Sequence, residues 1–296
     1  MSEYAGVDEL EILVRAGHGI AVIVEGSSAD EDPWFYGQWF GDRARQVTFF
    51  PQDGWRLVIA AVGELRRRCA GVPIYGIIDR DFAPRAMLDV DFAALGILRL
   101  PRYTLENYLL DPACWAAVFQ FIFRRRGSAP DGWDCPGPVT EHIEAACRSC
   151  LDLAAHNMAI KFGNDNYRAQ AVATPERERV YLEHPNALVD VNAQEKLRAW
   201  GQQLGCNEDL GLVFRQSREA LAAAGPDGWQ EAVSGKHILR VLQSRFPLLA
   251  GAGRFGLSHY LNLYMDRCPD PHPDLVDLID RIVADSSHYS CAEGSQ

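Results

Sequence analysis

The sequence predicts an α/β fold in which a parallel four-stranded sheet is flanked by helices and followed by a mostly α-helical domain. Four short runs are apolar on both faces, as strands buried in a parallel sheet are, and they lie at 19–24, 47–50, 73–78 and 96–100. The stretch 54–69 carries apolar residues at helical spacing. Strands that alternate with helices in this way are typical of βαβ units with right-handed crossovers.

The second half of the chain is predicted to be helical. Its candidate helices are separated by prolines and lie at 113–126, 140–158, 192–204, 214–224, 235–246 and 274–284. We therefore predict an α/β domain over residues 1–112, a helical C-terminal domain over 113–285 and a flexible tail over 286–296. The helical domain is the expected surface for forming a homodimer or for docking a partner.

The composition is that of a folded globular protein. Of the 296 residues, 48% are hydrophobic and 23% are charged, which argues against disorder. The net charge of −11 disfavours a passive coat on nucleic acid. It does not exclude a nuclease, because a bound divalent cation reverses the local sign of an acidic site. No apolar stretch approaches the ~18 residues of a membrane span, and the acidic N-terminus lacks a signal pattern. We therefore expect a cytoplasmic protein without a membrane partner.

Acidic residues follow three of the four predicted strands. Glu25 follows the first strand, and Asp79 and Asp81 follow the third. Glu106 comes after the fourth. The carboxyl ends of parallel strands share one edge, where ligands bind. Carboxylates gathered there repel one another unless a cation lies between them, and such oxygen ligands suit Mg²⁺ or Mn²⁺. The sequence therefore predicts a site for one or two of these ions.

Neighbouring residues suggest how a phosphate group could be held. Ser27 and Ser28 offer hydroxyl and N–H groups ahead of a predicted helix N-terminus, which favours an anion. Asp30 is either a further metal ligand or the N-cap of that helix. Arg80 and Arg102 are candidates for binding the substrate. Arg80 has a second interpretation, a structural pairing on the opposite face from the acids.

Several other features have simple explanations. Glu106 could form an ion pair with Arg102 or cap the segment Glu106–Leu110. Cys135, Cys147 and Cys150 are crowded enough for zinc, but without finger-like spacing buried thiols are the favoured interpretation. The arginine run at 66–68 suits the C-terminus of a helix, where cations are favoured. Recruitment of a nucleic-acid backbone is the alternative for this run.

Five segments of the sequence resemble one protein family. They are IVEGSSADEDPWFYGQWF, FFPQDGW, PIYGIIDRDF, LRLPRYTLENYLLDP and SGKHILRVL. These segments resemble the stand-alone TOPRIM-like nucleases of bacterial defence loci, the family of the AriB-like effectors of the PARIS anti-phage system. The OLD (overcoming-lysogenization-defect) nucleases carry a related TOPRIM domain. The resemblance is strong over residues 20–112 and continues mainly through Gly235-Lys236. It implies that residues 1–112 form a TOPRIM-like catalytic domain.

The resemblance implies a role for each matching residue. Glu25 would be the essential acid, as a metal ligand or the general base, and Asp79 and Asp81 would be the metal-binding pair. Glu106 would complete the acidic set. Lys236 would match the lysine that OLD-type nucleases place near the scissile phosphate.

The chain departs from the OLD pattern at one position. The OLD enzymes place an Asp four residues after the essential Glu, but Ala29 holds that position here and Asp30 comes one residue later. Either this loop has one extra residue or Asp30 is not a ligand.

The function implied by the resemblance is a metal-dependent endonuclease that acts as the toxic effector of an anti-phage abortive-infection system. Its substrate would be RNA, in particular tRNA, or DNA. An ABC-type ATPase partner would release or activate it, since the sequence has no P-loop motif. Two alternatives stay open: a catalytically inactive regulatory subunit on a TOPRIM scaffold, and a metal-dependent phosphohydrolase acting on small nucleotides.

Overall fold

The chain folds into two compact units. The computed structural model describes residues 6–17, 19–26, 32–40, 46–81, 94–125, 127–167, 193–247 and 256–292. Met1–Pro101 and the segment from Met265 form one unit, here called the sheet unit, and Arg102–Tyr264 form the other, the helical unit. The division therefore falls before the predicted boundary at residue 112, and the C-terminal segment groups with the sheet.

The sheet has four parallel strands, as the sequence predicts. They are β1 (Ile20–Glu25), β2 (Val47–Gln52), β3 (Ile74–Ile78) and β4 (Ile97–Arg99), in the spatial order β2-β1-β3-β4. In the register, Val24 of β1 lies opposite Pro51 on one side and Ile77 on the other. Because β1 and β3 are neighbours, the residues that follow them meet at the same edge.

Helices make up most of the remaining described residues. They are α1 (Val7–Ala16), α2 (Asp32–Phe40), α3 (Gly54–Arg68), α4 (Pro112–Phe123), α5 (Pro136–Tyr167), α6 (Ala193–Leu204), α7 (Leu210–Trp229), α8 (Gly235–Arg245), α9 (Leu257–Arg267) and α10 (Pro273–Ala292). A 3-10 helix, Leu105–Leu109, precedes α4. The last helix extends to Ala292, into residues 286–296 for which the sequence predicts a tail. None of the helices in the described part of the chain combines the length and apolar character needed to span a bilayer.

Both faces of the sheet are covered, which is why its strands are apolar throughout. One face packs against α1 and α3 in a core that includes Ile23, Val58 and Ile97. Gly76 permits this close packing, since a Cβ there would lie 2.6 Å from Ile97 Cδ1 and 3.0 Å from Val58 Cγ1. On the opposite face, the hydroxyl of Tyr75 donates a hydrogen bond of 2.7 Å to Asp285 of α10.

The helical unit is built around an aromatic core. Trp115 and Phe246 are both buried, and their ring centroids lie 5.0 Å apart. Trp133 packs edge-on against Phe246 at 5.2 Å. Such aromatic pairs add to the free energy that burial of apolar surface already supplies, so this core holds α4, α8 and the segment before α5 together.

Candidate functional site

The first acidic cluster lies at the carboxyl edge of the sheet. Glu25 is the last residue of β1, and Asp79 directly follows the last residue of β3. Glu25 Oε1 accepts a hydrogen bond of 2.8 Å from the backbone N–H of Asp79. The structure thus brings together two of the acids that the sequence singles out, and the parallel pairing of β1 with β3 is the cause.

The turn after β3 is tightly held. Asp79 and Arg80 are both buried, and Arg80 donates from Nη1 to the backbone oxygen of Pro101 at 2.9 Å. Asp81 has a φ of +49°, a left-handed conformation that Asp tolerates better than most residues. The hydrogen bond to Pro101 favours the structural interpretation of Arg80 over contact with substrate. Asp79 and Asp81 both lie beyond the end of β3 at Ile78.

Two buried polar residues of the sheet unit were missed by sequence reasoning. Gln52, at the end of β2, is the register partner of Glu25, and its backbone oxygen accepts a hydrogen bond of 3.1 Å from Gly26. Asp32 is buried at the first position of α2. Gln52 could have been identified from its position just after an apolar run, because the same position identified Glu25.

Three of the predicted site residues cannot be placed. Ser27, Ser28 and Asp30 lie outside the described residues. Their assignment to phosphate or metal binding therefore stays a prediction from the sequence.

The second charged group lies in the helical unit. Lys236 Nζ is 3.5 Å from Glu106 Oε1, and their side chains are 51% and 14% exposed. The other oxygen of the carboxylate, Glu106 Oε2, is buried and has no hydrogen-bond partner among the described residues. Arg102, the arginine considered as an ion-pair partner for Glu106, donates from Nη1 to the backbone oxygen of Asn107 at 2.9 Å. Its guanidinium also lies over the ring of Tyr108, 4.8 Å from the centroid. These contacts hold Arg102 within its own segment of chain.

Glycine at position 235 allows Lys236 to reach Glu106. A Cβ on Gly235 would lie 2.4 Å from the backbone nitrogen of Asn107 and 2.5 Å from the carbonyl carbon of Glu106. Only glycine permits so close an approach without displacing the backbone. The start of α8 therefore rests directly on the 3-10 helix. Asn107, which is fully buried at this junction, was not identified by sequence reasoning.

The arginine run 66–68 is occupied by contacts within the sheet unit. Arg66 donates from Nε to the backbone oxygen of Ile74 at 2.7 Å. Arg68 donates from Nη1 to Asp8 of α1 at 2.6 Å. Because Arg66 and Arg68 make these contacts within the unit, a structural role for the run is favoured over the recruitment of nucleic acid.

The crowded cysteines are mostly buried. Burial raises the pKa of Cys147 to about 12 and that of Cys150 to about 11, whereas Cys135 is exposed. Zinc binds the thiolate form of cysteine, so burial of Cys147 and Cys150 supports their interpretation as small apolar side chains.

The donor chemistry of both charged groups suits a hard divalent ion. In the part of the chain that the structure describes, no three His, Cys, Asp or Glu side chains are arranged to hold a metal. Mg²⁺ retains several waters and commonly uses only one or two carboxylates, so three ligands are not required. Glu25 ends β1 at the carboxyl edge of the sheet, and Asp79 and Asp81 follow the end of β3 at the same edge. Glu106 Oε2 is an acceptor that lacks a donor, which a cation or a water would satisfy.

No protein-family model matches this sequence, and no curated protein matches it. The functional conclusion therefore depends on the geometry of these residues and on the sequence motifs that contain them.

Proposed function

We propose that this protein is a metal-dependent endonuclease whose sheet unit is a TOPRIM-like domain. The observation that carries the proposal is the hydrogen bond of 2.8 Å from the Asp79 N–H to Glu25 Oε1. It connects the Glu25 carboxylate to the backbone of Asp79 at the carboxyl edge of a parallel sheet, where ligands bind in α/β folds.

The acids are proposed to bind the metal. Glu25, Asp79 and Asp81 would hold one or two Mg²⁺ or Mn²⁺ ions. Glu106 stays a ligand candidate from the sequence alone. When bound, such an ion polarises a phosphoryl oxygen and makes its bound water a better nucleophile. Asp30 stays a ligand candidate from the sequence alone.

The remaining residues are assigned to orientation and charge compensation. Lys236, half-exposed and next to a carboxylate, stabilises the negative charge that develops on the phosphate. Glu106 orients Lys236 through the ion pair between them. Ser27 and Ser28 keep their predicted role of binding phosphate through hydroxyl and N–H groups.

The proposed biological role is that of a toxic effector in an anti-phage abortive-infection system. The motif resemblance supports this role, with tRNA ahead of DNA as substrate and an ABC-type ATPase as the activating partner. The acidic net charge of −11 is consistent with a protein that binds nucleic acid weakly until a partner positions it.

Cleavage assays on the purified chain, alone and with a co-expressed ATPase neighbour, test the proposal. We expect Mg²⁺-dependent cleavage of tRNA or plasmid DNA. Glu25→Gln and Asp79→Asn should each lower the rate by ~100-fold or more. Glu9→Gln, an exposed acid of α1 in the same unit, is the matched control and should leave the rate unchanged. Full cleavage by Glu25→Gln would refute the role assigned to Glu25.

A specific observation favours one alternative, a regulatory subunit that has lost catalysis. The observation is that the described residues contain no group of three His, Cys, Asp or Glu side chains arranged to hold a metal. Calorimetry separates the two functions. The nuclease should bind Mn²⁺ in a way that Asp79→Asn and Asp81→Asn abolish, and a regulatory subunit should not. Hydrolysis of nucleotides without cleavage of tRNA or DNA would identify a small-molecule phosphohydrolase instead.

A further inference from the structure

Asn107 connects two segments that are distant in the sequence. Its side-chain oxygen accepts hydrogen bonds of 2.9 Å from the backbone N–H groups of Thr104 and Gly235. The same oxygen lies 3.0 Å from Thr104 Oγ1. Its amide nitrogen donates to the backbone oxygen of Val233 at 2.9 Å. Asn107 is fully buried, so each of these contacts replaces water that the folded chain excludes.

The neighbours of these bonded groups are the charged pair. Glu106 directly precedes Asn107, and Lys236 directly follows Gly235. Ser234 stands at the N-cap of α8 but makes no side-chain capping hydrogen bond. The oxygen of Asn107 accepts from the N–H of Gly235, the first residue of α8. The backbone of both charged residues is therefore fixed by one amide.

We propose that Asn107 is a positioning residue that sets the Lys236 ammonium against the Glu106 carboxylate. A lysine side chain has four flexible bonds and loses considerable entropy when it is ordered. A distance of 3.5 Å to a carboxylate is maintained only if the backbones that carry both groups are held in place. For its effect on cleavage this inference rests on the proposed nuclease function, but the geometry it describes does not.

The lysine content of the chain permits a direct test that needs no substrate. Only three lysines are present, Lys161, Lys196 and Lys236. Reductive ¹³C-methylation of the full chain labels them, and the signal of Lys236 is assigned from Lys236→Arg. Lys161, which is ion-paired with Asp165 at 2.9 Å, serves as an internal reference.

The test compares the chemical shift of Lys236 between variants. Glu106→Gln defines the shift that follows loss of the carboxylate charge. Asn107→Ala should move the Lys236 signal toward that position and leave Lys161 unchanged. Asn166→Ala, which removes an exposed amide of α5, should move neither signal. A Lys236 signal that stays at its wild-type position in Asn107→Ala, or one that Glu106→Gln does not move, overturns the proposal.

A second variant keeps the test decisive if Asn107→Ala does not fold. Gly235→Ala introduces a methyl group 2.4 Å from the backbone nitrogen of Asn107 and so disturbs the same junction from the other side. Circular dichroism establishes that it is folded. It should move the Lys236 signal in the same direction as Glu106→Gln, and an unmoved signal overturns the proposal.

Cleavage kinetics distinguish positioning from a general structural role. Asn107→Ala should lower the cleavage rate by about 10–100-fold, the usual cost of losing a residue that orients a functional group. In a Lys236→Met background it should cause no further loss. Equal losses in both backgrounds would mean that Asn107 supports the fold alone, which overturns the proposal. If no form of the protein cleaves nucleic acid, the nuclease proposal fails while the NMR comparison still decides the role of Asn107.

Discussion

Two polar clusters in this protein differ in burial, and they therefore differ in how strongly their partners depend on them. The exposed cluster joins α1 to α3 through ion pairs of Asp8, Glu11, Glu64 and Arg68. The buried cluster joins the 3-10 helix to α8 through hydrogen bonds of Thr104, Asn107, Val233 and Gly235. Charges at the surface remain solvated and are screened by salt. A buried amide has no such alternative, so its partners depend on it fully.

The number of charged groups in a cluster therefore does not indicate how much that cluster contributes to the stability of the fold. The exposed cluster contains the conspicuous arginine run, whereas the buried cluster depends on one neutral side chain. The Asn107 side chain donates to the backbone oxygen of Val233, which is 126 positions away in the chain. Four predicted changes in stability follow, from the largest expected effect to the smallest. The first, second and fourth compare the buried cluster with exposed positions, and the third concerns the buried His156.

Removal of the Asn107 amide should have the largest effect on stability. Asn107→Ala leaves the N–H of Gly235 and the carbonyl of Val233 buried without their partner. We expect the free energy of unfolding to fall by about 2–4 kcal/mol, since each unsatisfied buried group costs about 1–3 kcal/mol. Urea unfolding followed by fluorescence measures this change. Asn166→Ala, at an exposed site, is the control, and a comparable loss there would remove the contrast between the clusters.

Two Gly→Ala substitutions should have opposite signs. Gly235→Ala places its Cβ within 2.5 Å of the carbonyl carbon of Glu106, and we expect a loss of about 1–3 kcal/mol from overpacking. Gly63 lies inside α3, and no atom of the described residues outside that helix's own backbone lies within 4 Å of the position that a Cβ would take. Gly63→Ala should therefore stabilise the protein by about 0.5–1 kcal/mol, because alanine is the better helix former. Equal effects in thermal unfolding would contradict the close approach at Gly235.

Acid should destabilise the helical unit through His156. Its Nδ1 is buried and has no hydrogen-bond partner in the described part of the chain, and burial lowers the pKa of His156 below its usual value of about 6.5. The unfolded chain then binds a proton at a pH where the folded chain does not. The contribution of His156 to stability is present above pH ~6.5 and is lost as the pH falls further.

Unfolding free energies measured at a series of pH values check the role of His156. His156→Gln should flatten the decline below pH ~6.5, because glutamine does not titrate. His259→Gln replaces an exposed histidine and should keep the wild-type slope. An unchanged slope in His156→Gln would assign the acid sensitivity to other groups.

Loss of Arg68 should have the smallest effect. Hydrogen bonds from Arg68 and Arg67 hold the pKa of Glu64 below its ordinary value, but these groups are exposed to solvent and salt. Arg68→Ala should lower the urea midpoint much less than Asn107→Ala does. At about 0.5 M NaCl, where screening acts within a few ångströms, the difference from wild type should shrink further. A loss that persists in salt would show that Arg68 acts by packing.

The parts of this fold that could be predicted are those that depend on patterns within a single segment of the sequence. The four apolar runs identified the strands, and the stripe of Val58, Ala61, Val62 and Leu65 identified α3. Because ligand sites in α/β folds follow the carboxyl ends of strands, the sequence also directed attention to Glu25 and Asp79. Helix α9 and the grouping of α10 with the sheet were not predicted, since both depend on which surface each helix covers rather than on its own periodicity.

The sequence by itself determined which segments are strands and helices and which acids follow the strands, because hydrophobic periodicity and chain order are local properties. Only the tertiary structure decided that Gln52 lies opposite Glu25, that Arg80 binds Pro101, and that Gly235 rests on Glu106 and Asn107. These are contacts between residues distant in sequence. Their partners are selected by which surfaces pack together, and no pattern within a single segment of the chain encodes that choice.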